Sequence, residues 1–219
     1  MQQVSQSVLH QTGGVSEPDR ETKQTEKCNE RVSAVLGVMM CGVLMACPAA
    51  SLPQVTMRHM REVIGYKAGD SILAPGGSIS NLYAAIAARH KMFPEYKKKG
   101  LMALPGQLVM FTSLHSHYSL MGAAAAMGIG TDNLIEVPVD EKGHMLPSEL
   151  DRLIQEEKGK GKVPFFVCAT AGTTVMGAFD PLHAIADVCE KHKLWFHVDV
   201  STGRGWEVAE GRGMMGGRV

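Results

Sequence analysis

The chain has 219 residues, enough for one sizeable domain or a large piece of a bigger one. Basic and acidic residues both number 22, so the net charge is zero and no field draws in nucleic acid or an anionic membrane. Five cysteines, odd in number and without a CxxC pair, fit a reduced cytoplasmic compartment better than a disulfide framework.

Residues 1–31 are polar, rich in Gln, Ser, Thr, Lys and Glu, and are expected to be disordered. Residues 32–50, "VSAVLGVMMCGVLMACPAA", form an apolar run close to the minimum length of a membrane span. Two Gly, a Pro near the end and weak flanking aromatics speak against a span. The distance from Met1 speaks against an ordinary signal peptide. Residues 1–54 therefore read as an atypical amino-terminal segment.

From Val55 the texture changes to regular α/β alternation. "VTMRHMREVIG" carries Val55, Met60, Val63 and Ile64 at helical spacing and stops at Gly65. "APGGSISNLYAAIAARHKMF" is a Gly-rich turn running into an Ala-rich helix. "QLVMFTS" predicts a short strand, "SHYSLMGAAAAMG" a small-residue helix ending at Gly128, and "NLIEVPVD" a strand. "LPSELDRLIQEEKGKG" is an amphipathic helix with Pro147 near its first turn. "VPFFVCAT" is fully apolar, the pattern of a strand buried on both faces. "DPLHAIADVCEKHK" predicts a helix with Asp180 as N-cap and Pro181 at N1, and "LWFHVD" a last strand. Residues 200–219 are a Gly/Arg-rich tail without Leu, Ile or Phe, too poor in Arg and aromatics to suggest RNA contact. Strands alternating with crossover-length helices predict an α/β fold, a mostly parallel sheet covered by helices on both faces. Ligands of such sheets bind at the carboxyl ends of the strands.

Four stretches lie at such ends. "PGGSISN", Pro75 to Asn81, precedes a helix whose N–H groups and dipole suit a phosphate; it also reads as a plain Gly turn with Ser78 or Ser80 as N-cap. "SLHSHYS" holds the pair His115 and His117, without the nearby third ligand a metal needs. One imidazole could lie against an aromatic ligand, or both could be hydrogen-bonded loop residues. "ATAGTT", Ala169 to Thr174, offers small residues and hydroxyls, or a tight turn. Asp199 ends a buried strand, where a carboxylate is costly without a partner. A protonated heteroaromatic nitrogen would serve.

In this order and spacing, "PGGSISN", "HSHYS", "ATAGTT" with "GAFDP", and "WFHVD" resemble the group II pyridoxal-phosphate-dependent amino-acid decarboxylases, from about Val55 to Asp199. The resemblance implies a partial large domain of the aspartate-aminotransferase-like (type I) fold, in a complete enzyme that is a homodimer with active sites at the subunit interface. It implies pyridoxal phosphate as cofactor and an acidic amino acid as substrate, with glutamate going to GABA. Cysteine sulfinate or aspartate is the alternative substrate, and "HSHYS" leans towards the glutamate enzymes. By the same resemblance Ser78, Ile79 and Ser80 hold the cofactor phosphate, His117 stacks on the pyridine ring, Thr174 lines the site and Asp199 pairs with the pyridine nitrogen.

The family pattern continues "HVDAAWGG", whereas this chain reads "HVDVSTGRG". The lysine that anchors the cofactor belongs further along, and no Lys follows Lys193 here. "VS" after Asp199 can be encoded by a splice-donor-like sequence, so residues 200–219 could be read-through. A polypeptide of this sequence is expected to bind the cofactor weakly or not at all, and not to decarboxylate. A non-catalytic dimerisation partner is the alternative of a different class.

Overall fold

The computed structural model describes residues 51–64 and 71–200. The expected disorder of residues 1–31, the apolar run and the tail beyond Val200 all lie outside the described residues. Helix α1, Ser51–Ile64, starts earlier than the Val55 expected from its apolar spacing.

Helix α2, Gly77–Met92, follows the Gly-rich turn. Its N-cap is Gly76, with φ 123° and ψ 162°, and no side chain caps it. That corrects the expectation of a Ser78 or Ser80 cap. Both serines already lie inside the helix, and a capping side chain must come from the residue before it. A φ/ψ pair of this kind is open essentially to glycine alone. A single turn, α3 (Tyr96–Lys99), leads to strand β1, Leu108–Ser113, buried along its whole length.

Helix α4 spans Ser119–Ala126. It begins later than the sequence pattern suggests, because residues up to Tyr118 form a turn in which the Ser116 N–H bonds the Ser113 carbonyl. It ends at Ala126, and Gly128 just beyond it has a φ of 71° that suits a left-handed C-terminal position. Strand β2, Leu134–Val137, is shorter than the expected "NLIEVPVD". Pro138 follows at once and has no N–H for the ladder.

Helix α5, Pro147–Gly159, carries Pro147 in its first turn as expected, where the missing N–H has no helical partner to lose. Strand β3 is Val163–Thr170, helix α6 is Leu182–His192 and strand β4 is Trp195–Asp199. The N-cap of α6 is Pro181, not Asp180, whose carboxylate is used elsewhere (below). Helix α6 closes on Lys193 at φ 58°, with the Leu194 N–H bonded back to the Cys189 carbonyl.

The four strands pair in the order β2-β1-β3-β4, all parallel. The chain steps from β1 to β2 on one side, then returns past β1 to β3. The direction therefore reverses between β1 and β3, the switch point where open α/β sheets leave a crevice. Helices cover the two faces accordingly. Leu150 and Ile154 of α5 and Ile185, Ala186 and Cys189 of α6 pack with Val109, Phe111, Val167, Phe196 and Val198. Ala84, Ala85 and Ala88 of α2 and Leu120 and Ala124 of α4 pack with Leu108, Met110, Phe166 and Cys168. The alanines, all fully buried, let α2 approach the sheet and α4 closely.

One irregularity interrupts the ladder. Val109 pairs with Pro164 and Met110 with Phe166, so Phe165 is an extra residue on β3. It leaves Phe165 and Phe166 in the same hydrophobic cluster. Pro164 sits beside it, at a point where β4 has not yet begun to pair and a missing N–H costs the sheet least.

Candidate cofactor site

At the carboxyl ends of β1, β3 and β4 the face covered by α2 and α4 changes from apolar to polar. Along β4, His197 and Asp199 are two apart and share that face. His197 is completely buried, its ring 5.7 Å from that of Phe166. Asp199 is 6% exposed.

Asn81 of α2 ties the layer together. Its amide Nδ2 donates to Asp199 Oδ2 at 2.9 Å and to Ser119 Oγ at 3.0 Å. Its Oδ1 lies 2.8 Å from His197 Nε2. An ionised carboxylate only accepts, so the amide must turn its NH2 towards Asp199 and its oxygen towards the imidazole. His197 is then the donor, which fixes its Nε2–H form. Both amide hydrogens and the carbonyl of Asn81 are used. Among the described residues no group donates to the other oxygen of Asp199.

Ser119 extends the chain of contacts to the next loop. Its N–H donates to His117 Nδ1 at 3.1 Å, which gives the first turn of α4 an acceptor for one of its unpaired N–H groups. The His117 ring is half-buried and lies 4.2 Å from the Tyr118 ring, tilted by 34°. His115 is exposed and takes no part in this network. Among the described residues no group of three or more His, Cys, Asp and Glu could hold a metal ion.

The structure thus links three of the expected segments. Ser78, Ile79 and Ser80 are adjacent to Asn81, His117 is reached through Ser119, and Asp199 is held directly. Ser78 is exposed, Ile79 half-buried and Ser80 buried. Thr174 stands apart, exposed on the turn after β3. Its neighbour Thr173 is buried instead, with Oγ1 accepting the Ala178 N–H at 3.0 Å.

Asp180 supports the site from behind. Its two carboxylate oxygens accept the N–H groups of Met145 and Thr170, both at 2.7 Å. Burial pushes its carboxyl above the usual range, and these two backbone donors pull the other way. Thr170 is the residue paired with Asp199, and the Ala171 N–H bonds the Asp199 carbonyl at 2.9 Å. Cys168, two pairs further back, is fully buried, and its thiol is pushed well up by burial and by the charges of Asp199 and Asp180. It is an inert packing group.

Sequence reasoning missed Asn81, Ser119 and His197 as members of the site. Asn is a poor residue inside a helix because its side chain competes with the backbone. An Asn in the first turns of an otherwise Ala-rich helix was the available signal. His197 was marked by its place in an apolar strand two residues before the carboxylate.

An open parallel sheet with a glycine turn, a helix N-terminus and a buried carboxylate at the carboxyl ends of its strands has the form of a cofactor-binding α/β domain. The model of the pyridoxal-dependent decarboxylase conserved domain matches residues 33–206, and the chain belongs to that family. The match extends at both ends beyond the motifs quoted above.

The chain is 60% identical over 154 residues to glutamate decarboxylase of Drosophila melanogaster, covering 70% of this chain and 30% of that protein. Among solved structures it resembles mouse CSAD with a TM-score of 0.70 and 43% identity, covering 84% of this chain and 38% of that one. The glutamate decarboxylase domain of a diaminobutyrate-pyruvate transaminase and L-2,4-diaminobutyrate decarboxylase from Vibrio parahaemolyticus matches with a TM-score of 0.63 and 28% identity, over 85% of this chain and 41% of the other. The chain thus spans between 30% and 41% of the length of these relatives.

Pyridoxal phosphate is the cofactor of this family, and the residues present fit it. The Ser80 hydroxyl is buried in the first turn of α2 and has no hydrogen-bond partner within the described residues. It sits beside backbone N–H groups suited to a phosphate. Asp199 is a buried carboxylate that would suit a ring N–H.

Proposed function

We propose that this chain is the cofactor-binding part of a decarboxylase that converts glutamate to GABA. One observation carries the reading. Asp199 is a buried carboxylate whose only described side-chain donor is a neutral amide, and it lies at the strand end facing α2. A cationic N–H is the partner that offsets its desolvation, with a charge-assisted bond contributing about 1.5–3 kcal/mol.

Pyridoxal phosphate supplies an electron sink for the pair left at Cα when CO₂ departs, effective while its ring nitrogen is protonated. Asp199 holds that proton at the nitrogen by stabilising the cation. The N-terminal turn of α2, with Ser78, Ile79 and Ser80, binds the phosphate. His117, its Nδ1 engaged by the Ser119 N–H, is held where its ring would pack on the cofactor ring. Thr174 lines the approach from the turn after β3.

Glutamate as substrate draws its support from the 60% identity with the fly enzyme. Cysteine sulfinate is the second reading, favoured by the likeness to mouse CSAD. The complete protein is proposed to work as a cytoplasmic homodimer. No helix among the described residues is long and apolar enough to cross a membrane. The decisive experiment presents the protein, with the rest of its family domain supplied in frame, with ¹⁴C-carboxyl glutamate and with cysteine sulfinate. Release of labelled CO₂ from glutamate that depends on added pyridoxal phosphate and vanishes in Asp199→Ala is expected. Preference for cysteine sulfinate transfers the assignment to the second reading, and activity retained in Asp199→Ala overturns the role of that carboxylate.

A further inference from the structure

We propose that Asn81 is a positioning residue that sets the distance and angle between the phosphate end and the ring-nitrogen end of the cofactor site. This rests on the cofactor reading above. Asn81 directly follows Ser80 in α2, so its backbone moves with the N–H groups that face the phosphate. Its side chain grips Asp199 Oδ2 at 2.9 Å. One residue therefore ties the helix N-terminus to the carboxylate on β4, although the two are 118 residues apart in sequence.

The grip has a definite orientation. His197 Nε2 on one side and Ser119 Oγ on the other occupy the remaining polar valences of the amide. An amide with both hydrogens and its oxygen engaged cannot rotate without breaking three bonds. Asp199 is then offered to the ring nitrogen through its other oxygen only, in one rotamer. His197 holds the Asn81 carbonyl in this arrangement. It is the buried stop behind Asn81, itself packed against Phe166.

A residue that merely stabilises the fold would affect every ligand alike. A residue that aims Asp199 affects only ligands that use the ring nitrogen. The protein, with the rest of its family domain supplied in frame as above, and its Asn81→Ala variant are therefore titrated with pyridoxal phosphate and with 1-deazapyridoxal phosphate, which has carbon in place of that nitrogen. Binding is read by fluorescence. The wild-type protein is expected to prefer pyridoxal phosphate, and Asn81→Ala to weaken it about tenfold while leaving the deaza compound within about twofold.

Asn81→Leu, of similar volume and uncharged, removes the donor to Asp199 without opening a cavity. It is expected to show the same selective loss and keeps the test decisive where the alanine variant does not fold. Equal loss of both ligands in a folded variant, or no loss of either, overturns the positioning role and leaves the cofactor site intact. Failure of the wild-type protein to prefer pyridoxal phosphate over the deaza compound overturns the use of Asp199 on the ring nitrogen, and the proposal with it.

Discussion

Asp180 is the side chain whose removal is expected to cost the fold most for its size. It is 2% exposed, and its two oxygens satisfy the N–H groups of Met145 and Thr170 at 2.7 Å each. Both donors belong to buried residues. In Asp180→Ala neither N–H has an acceptor, and an unmet buried N–H costs about 1–3 kcal/mol. Partial entry of water brings the expected loss to about 3 kcal/mol. In Asp180→Asn one oxygen still accepts, but the NH2 turns a donor towards the other N–H, for an expected loss of about 2 kcal/mol. Urea unfolding of the 219-residue chain measures both. With a slope of about 2 kcal/mol per molar, the alanine variant shifts the midpoint down by about 1.5 M and the asparagine variant by about 1 M. Glu141→Ala, an exposed position, is the control. A midpoint for Asp180→Ala equal to that control would refute the reasoning, as would wild-type stability in Asp180→Asn.

Gly76→Ala tests backbone strain separately from packing. Nothing lies within 4 Å of where its Cβ would stand, yet φ is 123° with ψ 162°. A loss of about 1–3 kcal/mol is expected in the same urea assay, and no loss would mean that the turn relaxes. Glu157 is buried in α5 and paired with Lys160 at 2.7 Å and Lys162 at 2.8 Å, contacts that hold its carboxyl below the usual range, the Lys160 hydrogen bond foremost. A depressed folded pKa contributes stability above the unfolded value, about 4.3, and that stability is lost as pH falls through the folded pKa. Glu157→Gln is therefore expected to cost about 1 kcal/mol at pH 7, with the gap from wild type closing under acid conditions. A gap that stays constant between neutral pH and pH 3 would contradict this.

The sheet was legible because burial on two faces leaves a mark that needs no partner to interpret. β3 was read from an unbroken apolar run, and its residues from Pro164 onward are buried. α5 showed its buried stripe at Leu150, Ile154 and Glu157, one helical turn apart. Boundaries were less legible where a local signal competed with a tertiary one. The Asp-Pro of "DPLHAIADV" has the form of a helix cap, but Asp180 is drawn away by two backbone donors, one from the end of β3 and one from the turn before α5. No pattern within the segment could show those donors. The site divided in the same way. Asp199 was visible as a charge in an apolar strand. Asn81 was quoted in the turn motif but passed over, because its partners lie 38, 116 and 118 residues away.

The two faces of the sheet bear this difference in composition to their ends. Under α5 and α6 the core stays apolar along each strand, from Val109 to Phe111, from Val167 to Ala171 and from Phe196 to Val198. Under α2 and α4 the apolar layer of Met110, Phe166 and Cys168 gives way at the strand ends to Thr112, Thr170, His197 and Asp199. The hydroxyls of Thr112, Thr170 and Ser80 are buried there without hydrogen-bond partners among the described residues. Each such group works against folding unless water or a ligand meets it. A chain selected for stability alone would have continued the apolar face, as it does on the other side. On the cofactor reading proposed above, the polar layer is sustained by what binds to it, and the α5/α6 face carries the stability that the layer takes away. Substitutions that fill the layer with Val or Leu at Thr112 or Thr170 would spare the fold at the expense of the site.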